Sequence, residues 1–262
     1  MEISDLDTFV TDSARPDNGF RRFSDWVCRV PLEGVTTGDS LLFFPEDRRP
    51  KDVIDAFGPI KGWRTLELGS FEGAHTYQLE NMGADVLAIE ASPASFLKSL
   101  VVKNALSMKS RFMLGDFQQY LTETSERFDF IFAAGVLYHM RDPLELLYQI
   151  SLRTDRVMLW THYLSEEQIS GWPSELKSRQ TVHGFTCDYH KLDYPSNWGS
   201  RAFAGTAAYC SRIRKQDIID GLKAFGFSSV RVVLDDVDHR GGDPAITIMA
   251  AKSADLFAGT QA

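Results

Sequence analysis

Between Trp63 and Thr161, short apolar runs alternate with helix-like segments, and this alternation constrains the fold more than any other feature of the chain. The runs at 63–68, 85–90, 110–114, 128–133 and 156–161 are almost continuously apolar. Between them lie segments of helical character at 74–82, 93–106, 118–124 and 143–152, with Pro93 suited to a first turn. Strands of that kind, separated by helices, predict a parallel sheet covered on both faces. A helix over Lys215–Phe225, stopped by Gly226, and strands at 229–234 and 245–251 complete the pattern. The turn-rich DDVDHRGGDP joins the last two strands as an antiparallel hairpin at the sheet edge.

Residues 1–58 read as an N-terminal extension or cap, with a helix at 50–57 and apolar residues at Trp26, Val27, Val30 and Leu41–Phe44. The main domain then occupies 59–262. Within it, 162–212 is rich in Trp, Tyr, His, Gly and Pro without a clean period, and reads as a lid. Trp172, His183, Phe185, Tyr189, Trp198 and Tyr209 are its large side chains, most of them expected to form its own core.

The formal net charge of −8 argues against non-specific nucleic-acid binding, which needs Lys and Arg to neutralise phosphates. Arg21, Arg22, Arg48, Arg49 and Lys51 are the nearest thing to a basic patch and read as solvated surface. No apolar run approaches bilayer length, and the acidic N-terminus lacks the order of a signal peptide, so a cytoplasmic location is the expectation. Three widely spaced cysteines give no disulfide framework. His183, Cys187 and His190 have a metal-like spacing but lack a fourth ligand at a diagnostic distance, so no metal is expected.

The chemistry-bearing residues fall at the carboxyl ends of the predicted strands, where open α/β sheets bind ligands. In WRTLELGSFEG, Gly69 and Gly73 bracket a turn, with Ser70 and Phe71 inside it, and Glu67 stands two positions before it. A carboxylate there disfavours a phosphate ligand and suits an ammonium. Glu90, followed by Ala91, ends the second strand and is placed to accept from ribose hydroxyls. Asp116 and Phe117 follow the third, suited to an adenine amino group and ring. Ala134 and Gly135 follow the fourth and let a ligand lie against the backbone, with Tyr138 and His139 just beyond. Each has a plainer role open to it. A glycine pair also suits a dinucleotide site, Glu90 a surface, Asp116 a helix N-cap, and Tyr138 and His139 simple packing.

Taken in order, LELGSFEG, VLAIEAS, GDF and FDFIFAAGVLYHMRDP resemble the class I S-adenosylmethionine-dependent methyltransferases. EGAHT and VLYHMRDP are most similar to the branch containing the tRNA wobble-uridine carboxymethyl-transferring enzymes. The chain departs from the family's commoner loop at Phe71, where a glycine is usual. The resemblance implies a Rossmann-like seven-stranded sheet and S-adenosylmethionine as cofactor, with S-adenosylhomocysteine as product. It implies that Glu67 lies near the methionine ammonium, Glu90 holds the ribose, and Asp116 with Phe117 addresses the adenine.

The expected activity is methylation of a small molecule at oxygen or nitrogen by direct displacement, with His139 as the candidate base. His162, Tyr163, Tyr209 and Arg212 are the candidate substrate contacts. A tRNA-modifying methyl- or carboxymethyltransferase and a non-catalytic cofactor-binding module are the alternatives. A monomer or homodimer without membrane contact is expected.

Overall fold

The computed structural model describes residues 9–38, 47–197, 204–239 and 242–259. Leu41–Phe44 and Trp198 lie outside them. Seven strands form one sheet: β1 (Arg64–Leu68), β2 (Asp85–Glu90), β3 (Arg111–Leu114), β4 (Phe130–Ala134), β5 (Arg156–His162), β9 (Ser229–Asp236) and β10 (Ala245–Ala251). Their order is β3-β2-β1-β4-β5-β10-β9. The first five are parallel, whereas β10 runs antiparallel to both β5 and β9. The chain winds outward from β1 to β3 and then returns to β4, so a switch point opens between β1 and β4.

Burial follows the order. From Thr65 to Leu68 and from Val86 to Glu90 every side chain is buried, as is all of β10. The edge strands differ: Met113 and Leu114 of β3, and Val232 and Leu234 of β9, are exposed. Helices α2 (Ala74–Asn81), α3 (Pro93–Ala105), α4 (Phe117–Glu123), α5 (Pro143–Arg153) and α7 (Lys215–Ala224) connect the strands. Several begin on side-chain caps. Ser92 Oγ accepts from the Ser95 amide, Asp116 from Gln118 and Asp142 from Glu145, satisfying donors that a helix start leaves free.

Helix α1 (Arg48–Phe57), counted with the extension on sequence grounds, packs into the sheet's core. Its Val53, Ala56 and Phe57 join Phe130, Phe132 and Met249 in one buried cluster. Upstream, Phe20, Cys28 and Val30 pack with Ala74, Val102 and Met108 over α2 and α3.

The aromatic-rich insertion is more regular than its sequence suggests. After α6 (Glu166–Ser170), strands β6 (Lys177–Val182), β7 (Phe185–Asp193) and β8 (Tyr209–Arg212) form a separate antiparallel sheet. It is pinned to α5 by Tyr189, whose hydroxyl donates to Asp142 and accepts from the Leu144 amide at 3.2 Å. His183 stacks on Tyr148 at 3.4 Å between ring centres and hydrogen-bonds Glu145 Oε2 at 2.9 Å.

Candidate active site

The turn after β1 is built on left-handed backbone. Gly69 has φ +70° and Gly73 φ +85°, and Phe71 holds φ +52° although it is not glycine. A Cβ on Gly69 would meet Val136 Cγ1 at 2.7 Å, so this position excludes a side chain on two grounds. Phe71 takes the strained step because both of its peptide groups are held. Its amide donates to Glu90 Oε2 at 2.7 Å, and its carbonyl accepts from Ser99 Oγ at 2.9 Å. The departure from the glycine pattern is thus met by two hydrogen bonds, offsetting a penalty of roughly 1–2 kcal/mol.

Three acids surround the turn. Glu67 is buried at 1% exposure; Oε2 accepts from Thr76 Oγ1, while Oε1 has no hydrogen-bond partner among the described residues. Burial pushes its carboxyl up to about 8, with the Thr76 bond opposing and Glu90 adding to the rise. Glu90 is also raised by burial, against the pull of its backbone donors, because Oε1 accepts from the Ser92 amide at 2.8 Å and Oε2 from Phe71. The sequence leaves Glu90 either a ligand contact or a surface carboxylate; in the structure it is buried and fastens the turn, so Glu90→Ala disturbs the loop as well as any ligand. Asp116 caps α4 through Oδ1, and Oδ2 lies 3.4 Å from Thr206 Oγ1. Ser70 Oγ is a second buried atom without a partner.

A chain of buried polar groups, which no local sequence pattern signals, leads from Glu67 to α1. His75 Nδ1 lies 3.9 Å from Glu67 Oε1, and its Nε2 lies 3.3 Å from Asp47 Oδ2. Asp47 caps α1 and accepts from the Arg49 side chain. Burial works against ionised Asp47, but Arg49 and His75 outweigh it and hold the carboxyl well below its usual range. Arg49 is therefore not solvated surface: its side chain is 13% exposed and its guanidinium lies 4.8 Å from the centre of the Trp160 ring.

Beyond β4 and β5 a second cluster forms. Gly135 has φ +82°, and its amide donates to Trp160 O at 2.9 Å. The Tyr138 ring lies 4.1 Å from His139, 4.7 Å from His162 and 6.1 Å from Trp160. The Arg212 guanidinium sits 4.9 Å from the Tyr138 ring centre. His139 Nδ1 is 2.6 Å from the Tyr194 hydroxyl. Burial, then the charge of Arg212, then His162 lower His139 to about 3. As placed, His139 is hydrogen-bonded and weakened as a base by its surroundings, which suits the packing role left open for it in the sequence. Burial and Arg212 lower His162 in the same way, and burial raises Tyr138.

The geometry meets known proteins at this point. Residues 66–152 match the family model described as a methyltransferase domain. The seven-stranded fold superposes on the N-terminal domain of EvdMO1 with S-adenosylhomocysteine bound, at TM-score 0.67 and 21% identity, covering 86% of this chain and 91% of that one. Residues 66–152 carry a methyltransferase domain. Magnesium protoporphyrin IX methyltransferase from Synechocystis PCC 6803 has the same fold at TM-score 0.53 and 16% identity, over 79% of this chain and 81% of its own. In sequence, the domain is 28% identical over 107 residues to a tRNA U34 carboxymethyltransferase of Psychrobacter arcticus, covering 37% of this chain and 31% of the relative. A tRNA U34 carboxymethyltransferase of Trichlorobacter lovleyi is 31% identical over 93 residues, covering 35% and 29%. The chain thus spans less than a third of the length of these curated relatives.

Not every expected residue of the methyltransferase domain joins the site. His162 and Arg212 meet Tyr138, but Tyr163 leaves β5 on the opposite face and its hydroxyl donates to Asp235 Oδ1 at 2.7 Å. Tyr209 lies three positions before Arg212 on β8, so it faces the other side and packs against Lys191 Nζ at 4.9 Å. His183, Phe185 and Tyr189 pack towards α5 and Phe225, away from the cluster. Tyr194, Trp160, His75 and Asp47 enter instead. EGAHT contained His75, but its partner Asp47 is twenty-eight positions away on a helix assigned elsewhere. Among the described residues, no group of three or more His, Cys, Asp or Glu is arranged to hold a metal, and no helix is long and apolar enough to cross a membrane.

Gly69→Ala tests the turn. The variant is expected to lose about 1–3 kcal/mol in denaturant unfolding, from φ strain plus the contact with Val136. Adding Val136→Ala should restore the steric part and leave the strain.

Proposed function

We propose that this protein is an S-adenosylmethionine-dependent methyltransferase acting on a small-molecule acceptor. The observation that carries the cofactor assignment is the orphaned, buried Glu67 Oε1 beside a left-handed glycine turn, with Glu90 at the adjacent strand end. A cationic amino group satisfies that oxygen, and Ser70 Oγ, in the same turn, is also buried without a partner. Glu90 keeps lone pairs for ribose hydroxyls after accepting from two amides. Asp116 and Phe117 stand at the adenine end. S-adenosylmethionine supplies an activated methyl on sulfur, which an oxygen or nitrogen nucleophile displaces directly. The chain's part is to align acceptor and donor and keep water out. Ala134, Gly135 and Tyr138 form the floor where the two meet, and β8 with Tyr194 walls the acceptor side.

The net charge of −8 and the near-complete match in length to a domain crystallised in the presence of D-fucose support a small acceptor. Calorimetry should show S-adenosylhomocysteine binding with one site per chain; absence of binding would sink the proposal. Likeness to the tRNA U34 carboxymethyltransferases favours a second reading, an RNA acceptor. That reading requires tRNA binding that weakens steeply with salt, measurable by fluorescence anisotropy.

A further inference from the structure

We propose that the acceptor carries a carboxylate and that Arg212 binds it, making Arg212 a specificity-determining residue. The proposal rests on the reading of this pocket as the acceptor side of a methyltransferase. Arg212 ends β8, half-buried, with its guanidinium over the Tyr138 ring. Its Nε is buried without a hydrogen-bond partner, and it makes no ion pair among the described residues. Two other enclosed cations are matched by acids. Lys98 pairs with Glu72 at 2.9 Å, and Arg49 pairs with Asp47. Arg156 and Arg214 share the orphaned Nε, but Arg156 opens β5 over the Trp63 ring and Arg214 stands before α7, so of the three only Arg212 adjoins Tyr138 in the candidate site.

The rings of Tyr138, His139, His162 and Tyr194 all feel Arg212, and no carboxylate among the described residues forms an ion pair with it. Asp243, on the loop before β10, acts on both Tyr138 and His162, but its Oδ1 lies 3.5 Å from Gln168 Nε2 and it makes no ion pair with Arg212. His239 is committed to Asp236 at 2.8 Å. One uncompensated guanidinium therefore stands among neutral rings, and desolvating it costs free energy that an anion recovers.

A planar guanidinium offers two parallel N–H groups, which match a carboxylate. A phosphate dianion calls for a second free cation, and Arg49 is already taken by Asp47. Tyr138, His162 and Trp160 line the approach with ring faces and edges, which favours an acceptor whose carboxylate is borne on an unsaturated ring.

The test uses benzoate and benzamide as probes, titrated by calorimetry into the full chain with and without saturating S-adenosylhomocysteine. Benzoate is expected to bind at least tenfold more tightly than benzamide. Arg212→Gln should bring benzoate down to the benzamide level while S-adenosylhomocysteine affinity stays within twofold, which also reports that the variant is folded. Arg212→Lys should retain part of the preference. Equal binding of the two probes, or unchanged benzoate binding in Arg212→Gln, overturns the proposal. So does a tenfold loss in Arg212→Gln confined to carboxylated S-adenosylmethionine, since the anion then belongs to the donor. Failure of the wild-type chain to bind S-adenosylhomocysteine strikes the cofactor assignment and leaves the benzoate comparison readable.

Discussion

Glu72→Ala is expected to destabilise the protein by about 3–5 kcal/mol, the usual cost of breaking one side of a buried ion pair. Glu72 is fully buried. Oε1 accepts from Lys98 Nζ at 2.9 Å, and Oε2 accepts from the Cys28 amide at 2.7 Å, with the Val27 amide shared between both oxygens at 3.1 Å. Lys98 Nζ also donates to Asp25 O at 2.7 Å. Removing the carboxylate leaves two amides without their acceptor and Lys98 with only Asp25, whose exposed carboxylate lies 3.2 Å away. A stability of about 5–15 kcal/mol is typical of a domain, so the loss is a large fraction of the total. Urea unfolding checks it. Glu72→Gln should cost less, because its oxygen still accepts from an amide. Glu72→Leu with Lys98→Met should recover most of the loss, since no charge is then left unpaired. A loss below about 1 kcal/mol in Glu72→Ala would mean that the pair contributes nothing in solution.

Glu67→Gln is expected to lower S-adenosylhomocysteine affinity about 10–100-fold, the worth of a hydrogen bond to a charged group, without costing stability at neutral pH. The carboxyl is raised to about 8 in the folded chain, above its ordinary value of 4.5. The folded state therefore holds a proton that the unfolded state has released within that window. Wild-type stability should fall as pH rises from about 4.5 to about 8, and the Gln variant should lack that part of the dependence. An ammonium drawn to Glu67 favours the ionised carboxylate. Binding below pH 8 is thus accompanied by proton release, visible as a buffer dependence of the calorimetric enthalpy. Equal affinity in the variant would remove Glu67 from the ammonium site.

The sheet was legible because its central strands are buried on both faces and its helices carry their own start and stop residues. DVLAIE and AITIMAA predict their strands to the residue, and Pro93, Asp116 and Asp142 stand where helices begin. The insertion was opaque for a physical reason. β6 is exposed along nearly all its length and buries no apolar stripe, while β7 alternates only around Cys187 and Tyr189. In the site, Glu67, Glu90 and the glycines announce themselves through spacing within one motif. Arg212 is a candidate from its position before the last long helix, and the structure puts its guanidinium over Tyr138. The Asp47–His75 contact is long-range, and no local period signals it. Tyr163 was misjudged because β5 does not stop at Thr161: one more residue keeps the alternation running and turns Tyr163 away.

The pair of Glu72 with Lys98 also bears on where the smallest folding unit begins. The family match starts at residue 66, yet the groups that complete Glu72 and Lys98 are supplied by residues 25–28. A fragment trimmed to the matched stretch would contain every motif residue of the turn and lack the peptide groups against which its acid and lysine are neutralised. The boundary set by motif similarity and the boundary set by charge compensation differ by about forty residues, and expression of the domain has to respect the second.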